Sequence, residues 1–293
     1  MKADLHCHTK LSDGSLGIEE IIQLAIKNGL DAIAITDHDC LAGNTRAKII
    51  GERNGLKVIP GVEISATEKE TGRTMHILAY KCDCPDRLEG LCHKNSTIRK
   101  RAGQYMMVKA AAKYNISADL VMKCASGSTN LYKQHIMHAL MECGYTTEIY
   151  GELYNKLFLP DSPDSILVSP QYAPVEDVIS MIHEAEGIAV LAHPALHGNI
   201  DLIERLIPMG LDGVEVWHPT ATPEAEEQIM AVAKSAGLLM TGGSDFHGLY
   251  NRSKILPGDY VTPKKNFDEL MNYKARKKRQ QRKAEVAAAV SVE

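Results

Sequence analysis

The strongest constraint on the fold is an alternation of short apolar, β-rich segments with segments whose apolar residues recur at helical spacing. Strand-like runs such as "DAIAITDH" and "IAVLAHP" are separated by helical patterns such as "APVEDVISMIHEAEG". Repeated β–α units with short connections indicate a parallel sheet with right-handed crossovers. The number of units predicts an α/β fold, an irregular barrel of about seven strands.

Residues 85–174 interrupt this alternation, because they carry several helical patterns and no convincing strand. We therefore predict a discontinuous barrel of residues 1–84 and 175–270 with a helical insertion at residues 85–174. Residues 271–293 are expected to form a basic C-terminal helix or tail. A solvated surface helix is favoured there over an arm that binds nucleic acid.

Composition narrows the possible partners. The 293 residues are 44% hydrophobic, as in globular proteins, and the formal net charge of -4 does not favour binding to duplex DNA. No apolar run is long enough to span a bilayer, so we expect no membrane partner. Seven cysteines, an odd count, in a chain without an apolar signal segment predict reduced thiols and a cytoplasmic location.

Acids and histidines follow the apolar strands in a regular way. In a parallel barrel all strand carboxyl ends open on one face, so these side chains are expected to share that face. The residues concerned are His6, His8, Asp37, His38, Glu63, His193, His218, Asp245 and His247. Each of them alone has an ordinary structural explanation, whereas their joint placement predicts a functional site.

The segment "DLHCHTKLSDG" places two histidines two residues apart. In a strand, His6 and His8 would leave the same face and Leu5 and Cys7 the other, which suits two ligands of one metal ion. Asp13 follows within a turn. The alternative is an exposed histidine pair, with Asp13 as a turn residue.

His76 begins its strand instead of ending it. In a hairpin centred near Lys69 and Glu70, Glu63 and His76 lie opposite one another, with Cβ atoms about 5 Å apart. The two side chains would then share an ion, and Glu63 would be free to bridge to a second ion. The alternative is a cross-strand pair on the surface.

Imidazoles and carboxylates without thiolates suit Zn, Mn or Fe(II) and disfavour a structural zinc site. The candidates are too numerous for a single ion, which predicts a cluster of two or three divalent metals.

The motifs "DLHCHTKLSDG", "ITDHD", "GVEIS" with "HILAY", "LAHP" and "GSDFH" resemble, in this order, those of the PHP (polymerase and histidinol phosphatase) family. They cover the chain apart from the insertion and the basic tail. The resemblance implies a distorted (β/α)7 TIM-like barrel with a trinuclear metal site. It assigns the first ion to His6, His8, Glu63 and Asp245, the second to Glu63, His76 and His193, and the third to Asp13, His38 and His247. It places Asp37 behind the ligands, orienting an imidazole.

Within the family, "GVEIS", "LYKQHIMHAL" and "VEVWHP" look like stand-alone bacterial members that resemble nucleoside 3′,5′-bisphosphate phosphatases and small 5′→3′ RNA exonucleases. Such members usually carry Arg-Pro-His where this chain has Lys133-Gln134-His135, and lysine lacks the bidentate fork of arginine. The resemblance implies a phosphatase acting on a small phosphorylated substrate, with the 3′-phosphate of a nucleoside 3′,5′-bisphosphate as the leading candidate. A hydroxide that bridges two ions would be the nucleophile, because coordination lowers the pKa of water to about 7.

Three further residues are candidates for substrate contacts. We expect Lys133 and His135 to contact phosphate and His218, which ends a strand, to donate the leaving-group proton. The alternative for His135 is an ordinary polar residue on an insertion helix. Arg99 and Arg101 would reach a second phosphate, although a solvated position on a helix is favoured for both.

Other functions remain open. Histidinol phosphatase and 5′→3′ exonuclease activity on short RNA use the same scaffold. An amidohydrolase would typically carry a lysine after a strand to bridge its metals, and Glu63 would replace that lysine here. A metal-holding scaffold domain without turnover is the alternative of another class, and the intact ligand set argues against it.

Overall fold

The protein is described by a computed structural model that covers the backbone of residues 1–290 and the side chains of residues 1–280, 282 and 283. One seven-stranded sheet has its strands in sequential order. The strands are β1 (Ala3–Asp4), β2 (Ala32–Ile35), β3 (Lys57–Thr67), β4 (Thr74–Tyr80), β5 (Ile188–Leu191), β6 (Gly213–Trp217) and β7 (Leu239–Gly242). The Leu5 N–H donates to the Gly242 carbonyl at 3.2 Å, which nearly closes the barrel.

The predicted α/β barrel of seven strands is confirmed, with one irregular strand. β4 is antiparallel to both β3 and β5, while the remaining neighbours are parallel. The hairpin between β3 and β4 is the cause, because two strands joined by a tight turn have opposite directions.

Helices cover the outside of the sheet and fill the stretch between β4 and β5. They are α1 (Ile18–Lys27), α2 (Asn44–Arg53), α3 (Glu89–Lys113), α4 (Ala118–Cys124), α5 (Lys133–Glu142), α6 (Glu152–Phe158), α7 (Val175–Glu184), α8 (Ile203–Leu206), α9 (Pro223–Ala236) and α10 (Lys264–Val290). Helix α1 shows why these segments fold as they do: Ile18, Ile21, Ile22 and Ala25 form one buried stripe.

The apolar core has separate layers inside and outside the sheet. Alternation along the strands sends Leu78 and Tyr80 to one cluster and Ile77 and Ala79 to another. The first cluster also contains Phe267 from the start of α10, and the Tyr80 hydroxyl donates to the Leu5 carbonyl at 2.7 Å.

Helices α3–α6 occupy the predicted insertion and share an apolar cluster of their own, which includes Met106, Ile136, Leu140 and Phe158. The division of the chain into barrel, insertion and tail stays a prediction. Helix α10 begins at Lys264, before the predicted boundary at residue 270, and residues 291–293 lie outside the described part. Among the described helices, none combines the length and the apolar character that crossing a bilayer requires.

Candidate metal centre

The structure brings all nine predicted ligands together. Seven of them line one cavity of about 580 Å³: Asp13, His38, Glu63, His76, His193, Asp245 and His247. His6 and His8 are fully buried and contact Glu63 and Asp245. Strand β1 ends at Asp4, so both histidines lie just beyond the strand that was expected to carry them.

One group of donor atoms has the spacing of a metal coordination shell. His6 Nε2 and His8 Nε2 are 3.1 Å apart. Asp245 Oδ1 lies 3.4 and 3.1 Å from these nitrogens, and Glu63 Oε2 lies 3.3 and 3.2 Å from them. Ligands at about 2.0–2.2 Å from a tetrahedral ion are about 3.3–3.6 Å from one another.

A second group uses the other oxygen of the same carboxylate. Glu63 Oε1 lies 2.7 Å from His193 Nε2 and 2.9 Å from His76 Nδ1, and these two nitrogens are 3.4 Å apart. Glu63 therefore contributes one oxygen to each group, as a bridging carboxylate does.

The predicted hairpin register is wrong by two residues. Glu63 pairs with Leu78 and His76 with Ser65, so Glu63 and His76 meet diagonally on the same face. The turn explains the shift, because the Gly72 N–H donates to the Glu68 carbonyl at 2.9 Å and Gly72 has a φ of +68°. A shift of two residues preserves the face, which is why the contact survives.

The third group is looser. His247 Nε2 lies 3.3 Å from Asp13 Oδ1, and His38 Nε2 lies 3.8 Å from Asp13 Oδ2. His247 Nδ1 donates to the Asp245 carbonyl at 2.7 Å, so its Nε2 is left with a free lone pair. His38 Nδ1 also lies 3.1 Å from Glu63 Oε2 and therefore borders the other groups.

Buried oxygens without partners support a cation at these positions. Within the described part of the chain, Asp13 Oδ1, Glu63 Oε2 and Asp245 Oδ1 are buried and accept no hydrogen bond. Leaving a buried acceptor unsatisfied is costly unless a ligand meets it. The imidazole and carboxylate donor set therefore fits divalent metal ions.

Electrostatics keeps the carboxylates ionised. Burial by itself raises the pKa of Glu63, but His38, His76 and His6 bring this pKa well below its usual range. The pKa of Asp245 is likewise lowered well below its ordinary value, because His6 and His247 outweigh the effect of burial. Both carboxylates are therefore ionised and available as metal ligands.

Glu215 is a functional candidate that sequence reasoning missed. It is fully buried, and its oxygens lie 3.0 and 3.2 Å from His6 Nδ1. It also accepts the backbone N–H of His193 at 2.8 Å. A carboxylate that accepts a hydrogen bond from Nδ1–H leaves the Nε2 lone pair of His6 facing the first group. The signal in the sequence was the acid inside the apolar run "VEVW".

Asp37 contacts a turn instead of an imidazole. Its carboxylate accepts the Thr9 N–H at 2.7 Å and the Ser12 hydroxyl at 2.6 Å. The Ser12 hydroxyl lies 3.4 Å from His8 Nδ1, so Asp37 reaches that ring only through Ser12. Asp37 thus lies behind the ligands as expected, and its influence on the orientation of His8 stays a prediction.

The backbone is strained at two of the candidate ligands. His193 has a φ of +26° and Asp245 a φ of +46°, in a region that residues other than glycine rarely adopt. The backbone also packs closely nearby, because a Cβ on Gly243 would lie 2.4 Å from the backbone nitrogen of His6. Strain of this kind concentrates at functional sites.

The insertion contributes cations to the cavity wall. Arg99 is largely buried, not solvated as favoured from the sequence, and its guanidinium carbon lies 5.1 Å from the ring centroids of both Tyr132 and Tyr172. Its Nη2 donates to Asp39 Oδ2 at 3.0 Å. Arg101 is exposed, as expected.

Lys133 begins α5 and lines the same cavity as Arg99 and Arg252. Burial lowers the pKa of Lys133 to about 8, and the positive charges of Arg252 and Arg99 act in the same direction. Three cations thus face a cavity whose base carries the carboxylates, an arrangement suited to an anionic ligand.

The two candidate histidines differ. His135 is only 2% exposed, does not line the cavity, and accepts the Tyr132 N–H on Nδ1 at 3.2 Å. Its assignment as a phosphate contact is therefore not retained. His218 does line the cavity. Its Nδ1 lies 2.8 Å from the Thr220 hydroxyl and its Nε2 lies 3.2 Å from Asp245 Oδ2.

Comparison with known proteins agrees with this geometry. The PHP domain family matches residues 4–237. The chain belongs to the PHP family.

Three bacterial relatives are similar over most of their length. A phosphoribosyl 1,2-cyclic phosphate 1,2-diphosphodiesterase from Eggerthella lenta is 35% identical over 86% of this chain and 96% of that protein. A 3′,5′-nucleoside bisphosphate phosphatase from Chromobacterium violaceum is 31% identical over 83% and 86%, respectively. The 5′-3′ exoribonuclease Rnm of Escherichia coli is 30% identical over 83% and 84%.

A solved structure from Bifidobacterium adolescentis, described as a predicted metal-dependent phosphoesterase, matches with a TM-score of 0.83 and 28% identity. The match covers 92% of this chain and 95% of that one. The chain is therefore a member of a phosphoesterase family with donor clusters that fit divalent metals.

Proposed function

We propose that this PHP protein is a phosphatase for a small phosphorylated ribose, with the 3′-phosphate of a nucleoside 3′,5′-bisphosphate as its leading substrate. The observation that carries the proposal is the position of Glu63. Its two oxygens serve two groups of imidazoles at the base of a cavity whose wall carries cations. One part of the cavity suits a reacting phosphate and the other a second phosphate.

Three divalent ions, Mn, Fe or Zn, are assigned to the three groups. His6, His8, Glu63 and Asp245 would hold the first, Glu63, His76 and His193 the second, and Asp13, His38 and His247 the third. Bound ions of this kind activate water at neutral pH and neutralise charge on the phosphoryl oxygens.

The residues of the wall would bind and orient the substrate. Lys133, Arg99 and Arg252 supply positive charge for the phosphate that is not hydrolysed. A cavity of about 580 Å³ lies within the size range of small-ligand sites. Tyr132 and Tyr172, which also line the cavity, pack against the Arg99 guanidinium and would hold it in position.

His218 is the candidate for delivery of the leaving-group proton. The proton would come from the imidazolium form, in which Nδ1–H donates to the Thr220 hydroxyl 2.8 Å away and Nε2–H faces Asp245 Oδ2 at 3.2 Å. Transfer of the Nε2 proton to the leaving oxygen would then leave a neutral imidazole that Asp245 and Thr220 hold in place.

The similarity to the E. lenta protein supports a second candidate substrate. This relative is 35% identical, compared with 31% for the C. violaceum protein, and the match covers 96% of its length. Phosphoribosyl 1,2-cyclic phosphate also carries two phosphate groups on one ribose. The same division of the cavity would suit it, with a cyclic diester as the reacting group.

A substrate panel tests the proposal. The metal-loaded protein would be assayed for hydrolysis of adenosine 3′,5′-bisphosphate, phosphoribosyl 1,2-cyclic phosphate, histidinol phosphate, a 5′-phosphorylated dinucleotide and a small amide. We expect the highest kcat/KM with one of the first two substrates. Preference for the dinucleotide would assign an exonuclease. A full metal complement without hydrolysis of any compound would assign a scaffold. The cytoplasmic location stays a prediction.

A further inference from the structure

We propose that His197 is a fourth ligand of the ion assigned to Glu63, His76 and His193. The proposal rests on the metal centre described above. His197 is not among the ligands that the family resemblance implies, and the sequence offered only a second histidine after "LAHP" as a signal.

The geometry places His197 over the second group. One ring nitrogen from each of His76, His193 and His197 lies within 4.8 Å of the others. The His197 ring centroid is 5.1 Å from that of His193 and 5.4 Å from that of His76, with both contacts edge-on. Because ligands of one tetrahedral ion lie about 3.3–3.6 Å apart, the exposed His197 ring would have to rotate towards the other two to complete the group.

Two contacts hold the loop just after His197. Arg73 Nη1 donates to the Gly198 carbonyl at 2.6 Å. Asn199, 1% exposed, donates its side-chain amide to the Thr74 carbonyl at 3.2 Å. Both contacts tie the loop to the start of β4, the strand that carries His76, so the two histidines are positioned by the same strand.

The coordination chemistry leaves room for such a residue. Glu63 Oε1, His76 and His193 supply three donors, and the fourth position of a tetrahedral site is then filled by a ligand, water or substrate. His197 is exposed on the cavity side, so a substrate oxygen can displace it without any change in the buried ligands. We infer that His197 occupies this position when no substrate is bound.

Metal retention tests the inference without relying on activity. Wild type, His197→Ala and the control His93→Ala, which removes an exposed histidine of α3, would be loaded with Zn²⁺ and dialysed against graded EDTA. Bound zinc would then be counted by mass spectrometry. We expect His197→Ala to lose one ion at a chelator concentration about tenfold lower than wild type, with His93→Ala unchanged.

A further pair of variants separates a ligand from a packing residue. His197→Asp keeps a metal-binding atom and should retain zinc better than His197→Gln, which keeps the side-chain size. Circular dichroism checks that each variant is folded. If His197→Ala does not fold, His197→Gln takes its place in the comparison with wild type.

Retention of all ions by His197→Ala and His197→Gln would overturn the inference, and a raised KM in these variants with full zinc would assign His197 to substrate contact instead. Absence of zinc from the wild type would reject the metal centre itself, a different result from equal retention in all variants.

Discussion

The rim of the barrel and the wall formed by the insertion have opposite chemistry. The rim, formed by residues at the strand ends, supplies carboxylates whose pKa values are lowered by neighbouring imidazoles. The insertion supplies Arg99 and Lys133, with tyrosines beside them. In the proposed enzyme the rim performs the chemistry and the insertion selects the substrate.

This division predicts different kinetic effects for substitutions in the two regions. Changes at the rim should lower metal content and kcat, because the proposed sites of the reacting phosphate and its activating ions lie there. Changes on the wall should raise KM and leave kcat nearly unchanged, because the contacts of the second phosphate are the same in the ground state and the transition state. The predictions below test this separation, from the largest effect to the smallest.

Glu63→Gln should have the largest effect. The substitution removes the negative charge that the first and second donor groups share, so we expect at least one ion to be lost. Several kcal/mol of transition-state stabilisation should be lost together with that ion. We expect kcat/KM to fall by about 10³-fold, with less bound metal by mass spectrometry.

Glu224→Gln, at an exposed position on α9, is the matched control and should keep both metal and activity. Full metal content in Glu63→Gln would separate Glu63 from the metal centre and remove the basis of the proposed function.

Asp13→Ala should lower turnover by about 10²-fold, because the third group loses its carboxylate while the first two keep all their atoms. The fold should be intact by circular dichroism. The control is Asp119→Ala, which removes an exposed aspartate of α4. Near-normal turnover would exclude Asp13 from the site and leave a centre with two ions.

The difference between rim and wall also decides what the sequence could predict. Ligands at strand ends follow from a local pattern, so the convergence of His6, Glu63, His193 and Asp245 was accessible without coordinates. The error in the predicted hairpin register did not affect the predicted contact between Glu63 and His76, because a shift of two residues keeps both side chains on the same face of the sheet.

Residues of the wall depend on packing between distant segments. The position of Arg99 between Tyr132 and Tyr172 requires α3, the start of α5 and the segment before α7 to meet. His135 was assigned to phosphate from a tripeptide motif, whereas its nitrogen caps α5. Asn44 begins α2, but its side chain binds the backbone of Gly61 instead of capping the helix. Each of these outcomes depends on contacts that no local pattern contains.

Glu215→Gln should have a smaller effect than either ligand substitution. Gln keeps the size and one acceptor oxygen but loses the charge that supports the protonated Nδ1 of His6. Replacing a residue behind a metal ligand typically costs about 10- to 100-fold in metal affinity, so zinc should be lost at lower chelator concentration. Excess metal in the assay should restore most of the activity. Unchanged zinc affinity would reduce Glu215 to a packing role.

Lys133→Arg should have the smallest effect and the most specific signature. Burial lowers the pKa of Lys133 to about 8, so its charge is present below that pH and is lost as the pH rises through it. In the wild type, KM should therefore increase above about pH 8, whereas an arginine at this position stays charged over the same range. We expect a flat alkaline KM profile and a KM lowered a few-fold at pH 7, because the guanidinium binds phosphate with two donors.

Two further variants test this assignment. Lys133→Gln should raise KM about tenfold at pH 7 and abolish its alkaline dependence. The control Lys123→Gln, which changes an exposed lysine of α4, should alter neither. If the alkaline rise in KM persists in both Lys133 variants, another group causes it; if kcat falls with KM unchanged, Lys133 belongs with the rim and the separation between chemistry and selection fails.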